Sequence, residues 1–256
     1  MQIITAPSKT QQFNGRELKE YTCPETLSLS EEIVEILRGL TQDELASLMK
    51  TSDRLTDSTR QRLDSFCTPF TLDNAKQALF TFQGDAYGAI QSTSYSLDEL
   101  HRAQKHINIL SGLYGLLRPL DLMQPYRLEM ATRLAVREHK NLYALWKDTV
   151  TALINTRLKK SQQAVLINLA SEEYAKVIDK KRLEAEMITI IFQQEKSGRS
   201  RSIPIYSKRA RGRMIDYFIT QNVARAEDLK DFAMDGYSFI AEKSSADSWL
   251  FLTKKT

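Results

Sequence analysis

The sequence predicts an α/β (α+β) fold in which a mixed β-sheet is flanked by helices, and three features carry that reading. Ala164-Val-Leu-Ile-Asn-Leu-Ala170 is a nearly continuous apolar run, the pattern of a central strand covered on both faces. Leu142, Leu145, Trp146, Val150, Leu153, Ile154 and Leu158 recur at helical spacing and mark an amphipathic helix. The opening Gln2–Thr5 reads as a first strand.

The remaining elements follow in chain order. Ser28-x-x-Glu31 and Thr41-x-x-Glu44 are capping-box patterns that start two helices, and Gly39 stands where the first should stop. Leu79–Phe82 reads as a short strand running into a turn at Gln83-Gly84-Asp85. Ser96-x-x-Glu99 caps a further helix that runs to about Leu110, where Ser111-Gly112-Leu113-Tyr114-Gly115 breaks it. Met187–Phe192 and Ile203–Tyr206, joined through Lys196-Ser197-Gly198-Arg199, read as a hairpin, followed by a helix to about Asn222. Tyr237–Ala241 and Trp249–Thr253 read as a closing antiparallel pair.

With 256 residues, 42% of them hydrophobic, the chain can bury one sizeable core, and no repeat or long linker divides it. We therefore expect a single domain over residues 1–256. No run of eighteen apolar residues exists, so no membrane span is expected. The start has no basic leader segment, which points to the cytoplasm, and Cys23 and Cys67 have no pairing signature there. His101 and His106 are five apart, on different helix faces, and His139 is isolated, so no metal site and no cofactor are expected.

The net charge of +4 is mild, but its distribution is not. Lys196–Arg213 holds seven Lys or Arg residues and no Asp or Glu. Within it, Arg211 falls on the same helix face as the apolar Ile215 and Phe218, where an arginine must be paired or must line a cleft. Lys208 falls near that face, whereas Arg209 and Arg213 point away.

Four other segments carry candidate chemistry. Ala6-Pro7-Ser8-Lys9-Thr10 follows the first strand, at a strand's carboxyl end where α/β sheets bind ligands; it fits either a phosphate contact through Lys9 or a solvated loop. Gly84-Asp85-Ala86-Tyr87 is a turn with one carboxylate. Asn168 and Ser171-Glu172-Glu173-Tyr174 end the central strand, with Ser171 as an N-cap. The block Leu110–Arg133 is the densest. Gly112 and Gly115 free backbone amides for an anion, Arg118 and Arg127 supply bidentate cations, and Tyr114, Asp121 and Glu129 stand among them. A buried loop held by Arg–Asp pairs is the alternative reading of that block.

Ala6–Thr10, Gly84–Tyr87, Leu110–Met130, Asn168–Tyr174 and Lys208–Gly212, in this order, resemble the motifs of the YaaA peroxide-stress-resistance family, and the likeness covers essentially the whole chain. The chain reads Ala6-Pro7-Ser8-Lys9 where the family pattern is Ser-Pro-Ala-Lys, which keeps Lys9 in register. The resemblance implies a bacterial, cytoplasmic protein that helps cells survive hydrogen peroxide by limiting free iron and the damage iron does to DNA. It also implies an unusual α/β fold with a positively charged cleft, a helix–hairpin–helix-like element and binding to duplex or distorted DNA, with no established catalytic activity. The hairpin element is expected in the Gly112–Gly115 block, although Gly-x-Gly spacing is absent and Pro119 interrupts the second helix early.

The leading expectation is sequence-independent DNA binding by a monomer. Lys9, Arg118, Arg127, Lys208, Arg209, Arg211 and Arg213 contact phosphates, with amides from Gly112 and Gly115. The competing expectation is an enzyme on a phosphorylated or nucleotide substrate, with Lys9, Asp85, Asp121, Asn168 and Glu173 converging in one pocket beside Ser8, Tyr87, Tyr114, Ser171 and Tyr174. Geometry separates the two: an enclosed pocket favours catalysis, an open groove favours a duplex. Direct iron sequestration needs a carboxylate or histidine cluster, which the sequence does not display.

Overall fold

The computed structural model describes residues 1–254. In chain order the elements are β1 (Gln2–Thr5), α1 (Leu27–Arg38), α2 (Gln42–Met49), α3 (Asp53–Ser65), β2 (Lys76–Gln77), α4 (Ala78–Thr81), α5 (Leu97–His106) and β3 (Ile107–Ser111). Then come β4 (Gly115–Leu117), β5 (Leu122–Met123), α6 (Leu142–Lys159), β6 (Val165–Asn168), α7 (Glu172–Ala175), β7 (Glu186–Lys196), β8 (Arg199–Arg201), α8 (Pro204–Thr220), β9 (Ser238–Phe239) and β10 (Ser248–Lys254). Short 3-10 turns, one of them Tyr87–Ala89, fill several connections.

The main sheet runs β4-β3-β1-β6-β7-β10-β9, with β8 paired to the far end of β7. Its middle, from β3 to β10, is parallel; β4 and β9 are antiparallel edges. This is the mixed sheet with flanking helices that the sequence predicts. β1 is fully buried and lies between β3 and β6. The chain leaves β1 toward one side of the sheet and leaves β6 toward the other. The carboxyl ends of these two strands therefore form a topological switch point, the place where open α/β sheets leave a crevice.

Local chemistry explains the elements that match expectation. Thr41 and Ser96 each close a full capping box, with Glu44 and Glu99 respectively. The Asn141 side chain accepts from the Ala144 amide at 2.9 Å and starts α6. The 196–199 turn joins β7 and β8 as expected, with Ser197 and Gly198 both at positive φ.

Five expectations are corrected. The first capping box is not formed: α1 starts at Leu27 after Thr26, without a side-chain cap. Leu79–Phe82 is mostly a helical turn; its apolar run is buried throughout, and the amides of Ala78 and Leu79 bond the carbonyls of Asp121 and Pro119 at 2.9 Å. A short apolar run carries no period to separate the two states. The helix after Ser96 ends at His106, because Ile107–Ser111 pairs with β1 and is buried along its length; tertiary pairing overrides local propensity. Ile203–Tyr206 is not a strand: Pro204 occupies the first position of α8, where its missing N–H costs nothing. No helix lies between Ile107 and Asn141, so the expected hairpin of helices is not in the central block. Among the described residues no helix is long and apolar enough to cross a membrane.

Candidate functional site

A cavity of about 490 Å³ opens at the switch point between the ends of β1 and β6. Thr5, Ala6, Ser8 and Lys9 line it from the β1 end, and Leu169, Ser171, Glu173 and Tyr174 from the β6 end. The 84–87 turn, with Asp85 and Tyr87, closes a third side, and Arg127 with Glu129 a fourth. Lys208 and Arg211 of α8 complete the wall. Its size suits a small ligand rather than a duplex.

Glycine sets how α8 reaches this wall. A Cβ on Gly212 would collide with the Ala86 carbonyl and come within 3.0 Å of the Ala89 Cβ. Only a bare glycine lets the helix press on the 84–89 turn, and that contact brings Arg211 against the cavity.

The wall carries both signs of charge. Lys9 Nζ lies 2.7 Å from Glu129 Oε1, and Arg127 Nη2 lies 3.8 Å from the same oxygen. Asp85 is exposed and Glu173 half-buried. Ser8 Oγ accepts from the Thr10 amide at 3.2 Å, and Tyr87 donates to the Ala6 carbonyl at 3.0 Å. Burial pushes the Tyr87 and Tyr174 phenols well above their ordinary range, so both remain protonated donors near neutral pH.

Arg211 is the arginine of this wall that forms no ion pair with any described residue, and its Nε, like those of Arg118 and Arg213 outside the cavity, is buried without a hydrogen-bond partner. Burial alone depresses its pKa, with no carboxylate compensating. A desolvated guanidinium on a cavity wall is a ready receptor for an anion. Glu173 Oε1 is likewise buried and unbonded.

The structure does not bring the other expected residues to this cavity. A Cβ on Gly112 would collide with the Leu128 carbonyl. One on Gly115, which sits at φ +64°, would come within 2.5 Å of the Trp146 ring, whose indole N–H donates to the Gly112 carbonyl at 2.9 Å. These glycines seat a tryptophan and present no open amides. Tyr114 is buried, its hydroxyl placed between the amide and carbonyl of Gln124. Asp121 is fully buried and accepts from Thr22 Oγ1 at 2.5 Å, the Arg118 amide at 2.7 Å and the Arg118 guanidinium at 3.2 Å. This is the Arg–Asp loop that was the alternative reading of the central block. Arg209 pairs with Asp235 at 3.2 Å, and Arg213 reaches the Ala89 carbonyl at 3.5 Å. Asn168 is a local cap, accepting from the Ala170 amide at 2.9 Å. Of the expected carboxylates, Asp85 and Glu173 share the cavity and Asp121 does not.

Sequence reasoning named Arg211 from helical phase and Thr10 in the turn after β1 but passed over Gln11, which also lines the cavity. Gln11 follows that turn without a motif of its own. Among the described residues no group of three or more His, Cys, Asp or Glu side chains is placed to hold a metal ion.

Comparison with known proteins decides the family. A family model described as peroxide stress protein YaaA matches residues 1–243. The chain belongs to the YaaA peroxide stress protein family. Its relatives include the UPF0246 protein DP0358 of Desulfotalea psychrophila, 45% identical over 251 residues, 98% of this chain and 97% of that protein. A UPF0246 protein of Ralstonia pickettii is 44% identical over the full length of both chains, and one of Janthinobacterium is 45% identical over 99% of each. YaaA membership thus spans the strands and turns that build the cavity, from Thr5 to Arg211.

Proposed function

We propose that this chain protects against peroxide by binding DNA without sequence specificity, through the basic surface formed by the β7–β8 hairpin and the start of α8. The observation that carries this reading is the state of the charges along Lys196–Arg213. Lys196, Arg199, Arg201 and Lys208 are exposed, and none forms an ion pair with a described residue. Arg209 lies beside them with one pair, to Asp235. Ile205 and Tyr206 are exposed between the cations, 54% and 38% accessible, which suits contact with sugars and bases. Unneutralised cations laid along one surface release counterions when they meet a phosphate backbone, whatever its sequence.

The reading moves the expected contact surface. Gly112, Gly115 and Arg118 leave the phosphate-binding set because they are committed to packing and to Asp121. Lys208 and Arg209 stay in it, and Lys196, Arg199 and Arg201 join them. Limiting iron-dependent damage to DNA is the role this binding would serve.

Fluorescence anisotropy with a labelled random duplex tests the surface. Arg199→Glu with Arg201→Glu is expected to weaken binding at least about tenfold at moderate salt. Arg54→Glu, an exposed change on α3, should leave it nearly unchanged. Equal affinity in both variants overturns the proposal.

A further inference from the structure

Beside the first cavity lies a second, of about 800 Å³, along the flank of β7 where β6 has already ended at Asn168. Its floor and sides are largely apolar, from Met187, Ile191, Ala175, Ile178 and Pro204. Ser202 and Ser207 donate to the Phe192 carbonyl at 3.0 and 3.1 Å, which satisfies that part of the strand edge. Three residues, Ser171, Lys208 and Arg211, line both cavities. The two spaces therefore adjoin along the wall that these three side chains form.

The chemistry differs on the two sides of that junction. Arg211, with its buried unpaired Nε, and Lys208, with no ion pair to a described residue, place a receptor for an anion in the middle. One arm is apolar. The other holds Glu173, which lines only the first cavity and whose Oε1 is a buried acceptor without a donor. A ligand that satisfies all three carries its negative charge centrally. It has a planar or apolar body on one side and a hydroxyl or amine donor on the other. A phosphomonoester carries one organic substituent and so fills one arm only.

The geometry points to a small-molecule site spanning both cavities, specific for an organic phosphodiester or pyrophosphate with two arms. The phosphate sits on Arg211 and Lys208, the flat body lies over Ile191 and Met187, and the opposite arm donates to Glu173. Arg199 and Arg201 line neither cavity, so this site and the DNA-binding surface proposed above succeed or fail separately.

Isothermal titration calorimetry on the full chain tests it, with ADP-ribose as the two-armed probe and AMP and ribose 5-phosphate as one-armed probes. ADP-ribose is expected to bind saturably and at least about tenfold tighter than either one-armed probe. Arg211→Gln should weaken ADP-ribose about tenfold or more, because a charge-assisted contact is lost. Glu173→Gln should weaken ADP-ribose and leave AMP unchanged, and Arg199→Glu should change neither. Thermal melts establish that each variant folds; if Arg211→Gln does not, Arg211→Lys should show a smaller loss in the same direction. Absence of saturable ADP-ribose binding, equal affinity for AMP and ADP-ribose, or full affinity in a folded Arg211 variant overturns the proposal. So does an equal loss for AMP and ADP-ribose in Glu173→Gln.

Discussion

Glu129 holds Lys9 at 2.7 Å across the rim of the switch-point cavity, and the same carboxylate oxygen lies 3.8 Å from Arg127. One acidic group thus quiets two of the cations nearest the β1 turn. Lys9 is two-thirds exposed, so the pair itself adds little to stability, at most about 1 kcal/mol.

Removing that restraint should strengthen anion binding. Glu129→Gln frees both cations at one stroke, and affinity of the cavity for a small anion such as inorganic phosphate should rise severalfold at low salt, with the gain fading as salt increases. Calorimetric titrations at two salt concentrations read it. Unchanged or weaker binding would mean that Lys9 and Arg127 do not face an anion in the cavity.

Gly212 should tolerate nothing larger. The helix backbone there lies against the Ala86 carbonyl, so Gly212→Ala forces α8 away from the 84–89 turn. We expect a stability loss of about 1–3 kcal/mol, and Gly212→Val should lose more. Chemical denaturation measures both; wild-type stability in Gly212→Ala contradicts the packing described for α8.

Asp121 should prove structural. Burial pushes its carboxyl pKa up, while Arg118 and Thr22 pull it down. Asp121→Ala leaves the Arg118 guanidinium and amide without their acceptor, and should cost about 3–5 kcal/mol. If the folded variant keeps wild-type DNA affinity, the block acts in the fold alone; a binding loss with intact stability would return Asp121 to the site.

Much of the sheet was legible because its strands carry their own signal. Val165–Leu169 is apolar enough to be central whatever surrounds it, and Thr41 and Ser96 announce their helices by capping chemistry that needs no tertiary partner. Ile107–Ser111 was not legible as a strand, because its identity rests on β1, more than a hundred residues away. The site divides in the same way. The phase of Arg211 against Ile215 and Phe218 is local, and the sequence revealed it. The role of Gly112 and Gly115 depends on Trp146, thirty residues downstream, and two open glycines read the same whether they meet a phosphate or an indole ring.

His106 supplies a pH test. Its ring bonds the Met1 carbonyl at 2.9 Å and packs on Phe218 with centroids 5.4 Å apart. Burial lowers its pKa, with Lys105 and Arg102 adding to the effect and the Met1 contact opposing it. The unfolded chain therefore takes up this proton first as pH falls. Stability from the neutral ring is present above the unfolded value of about 6.5 and is lost as pH drops toward the folded value. The melting temperature should fall between pH 7.5 and pH 5.5, and His106→Gln should flatten that slope. An equal slope in the variant assigns the pH dependence elsewhere.

The salt dependence of duplex binding tests the central claim most directly. If Lys196, Arg199, Arg201, Lys208 and Arg209 each meet a phosphate, log K should fall against log salt with a slope of about −4.5, and reversing Arg199 and Arg201 should reduce its magnitude by about 2. A slope near zero, or one that the double reversal leaves unchanged, would contradict the account.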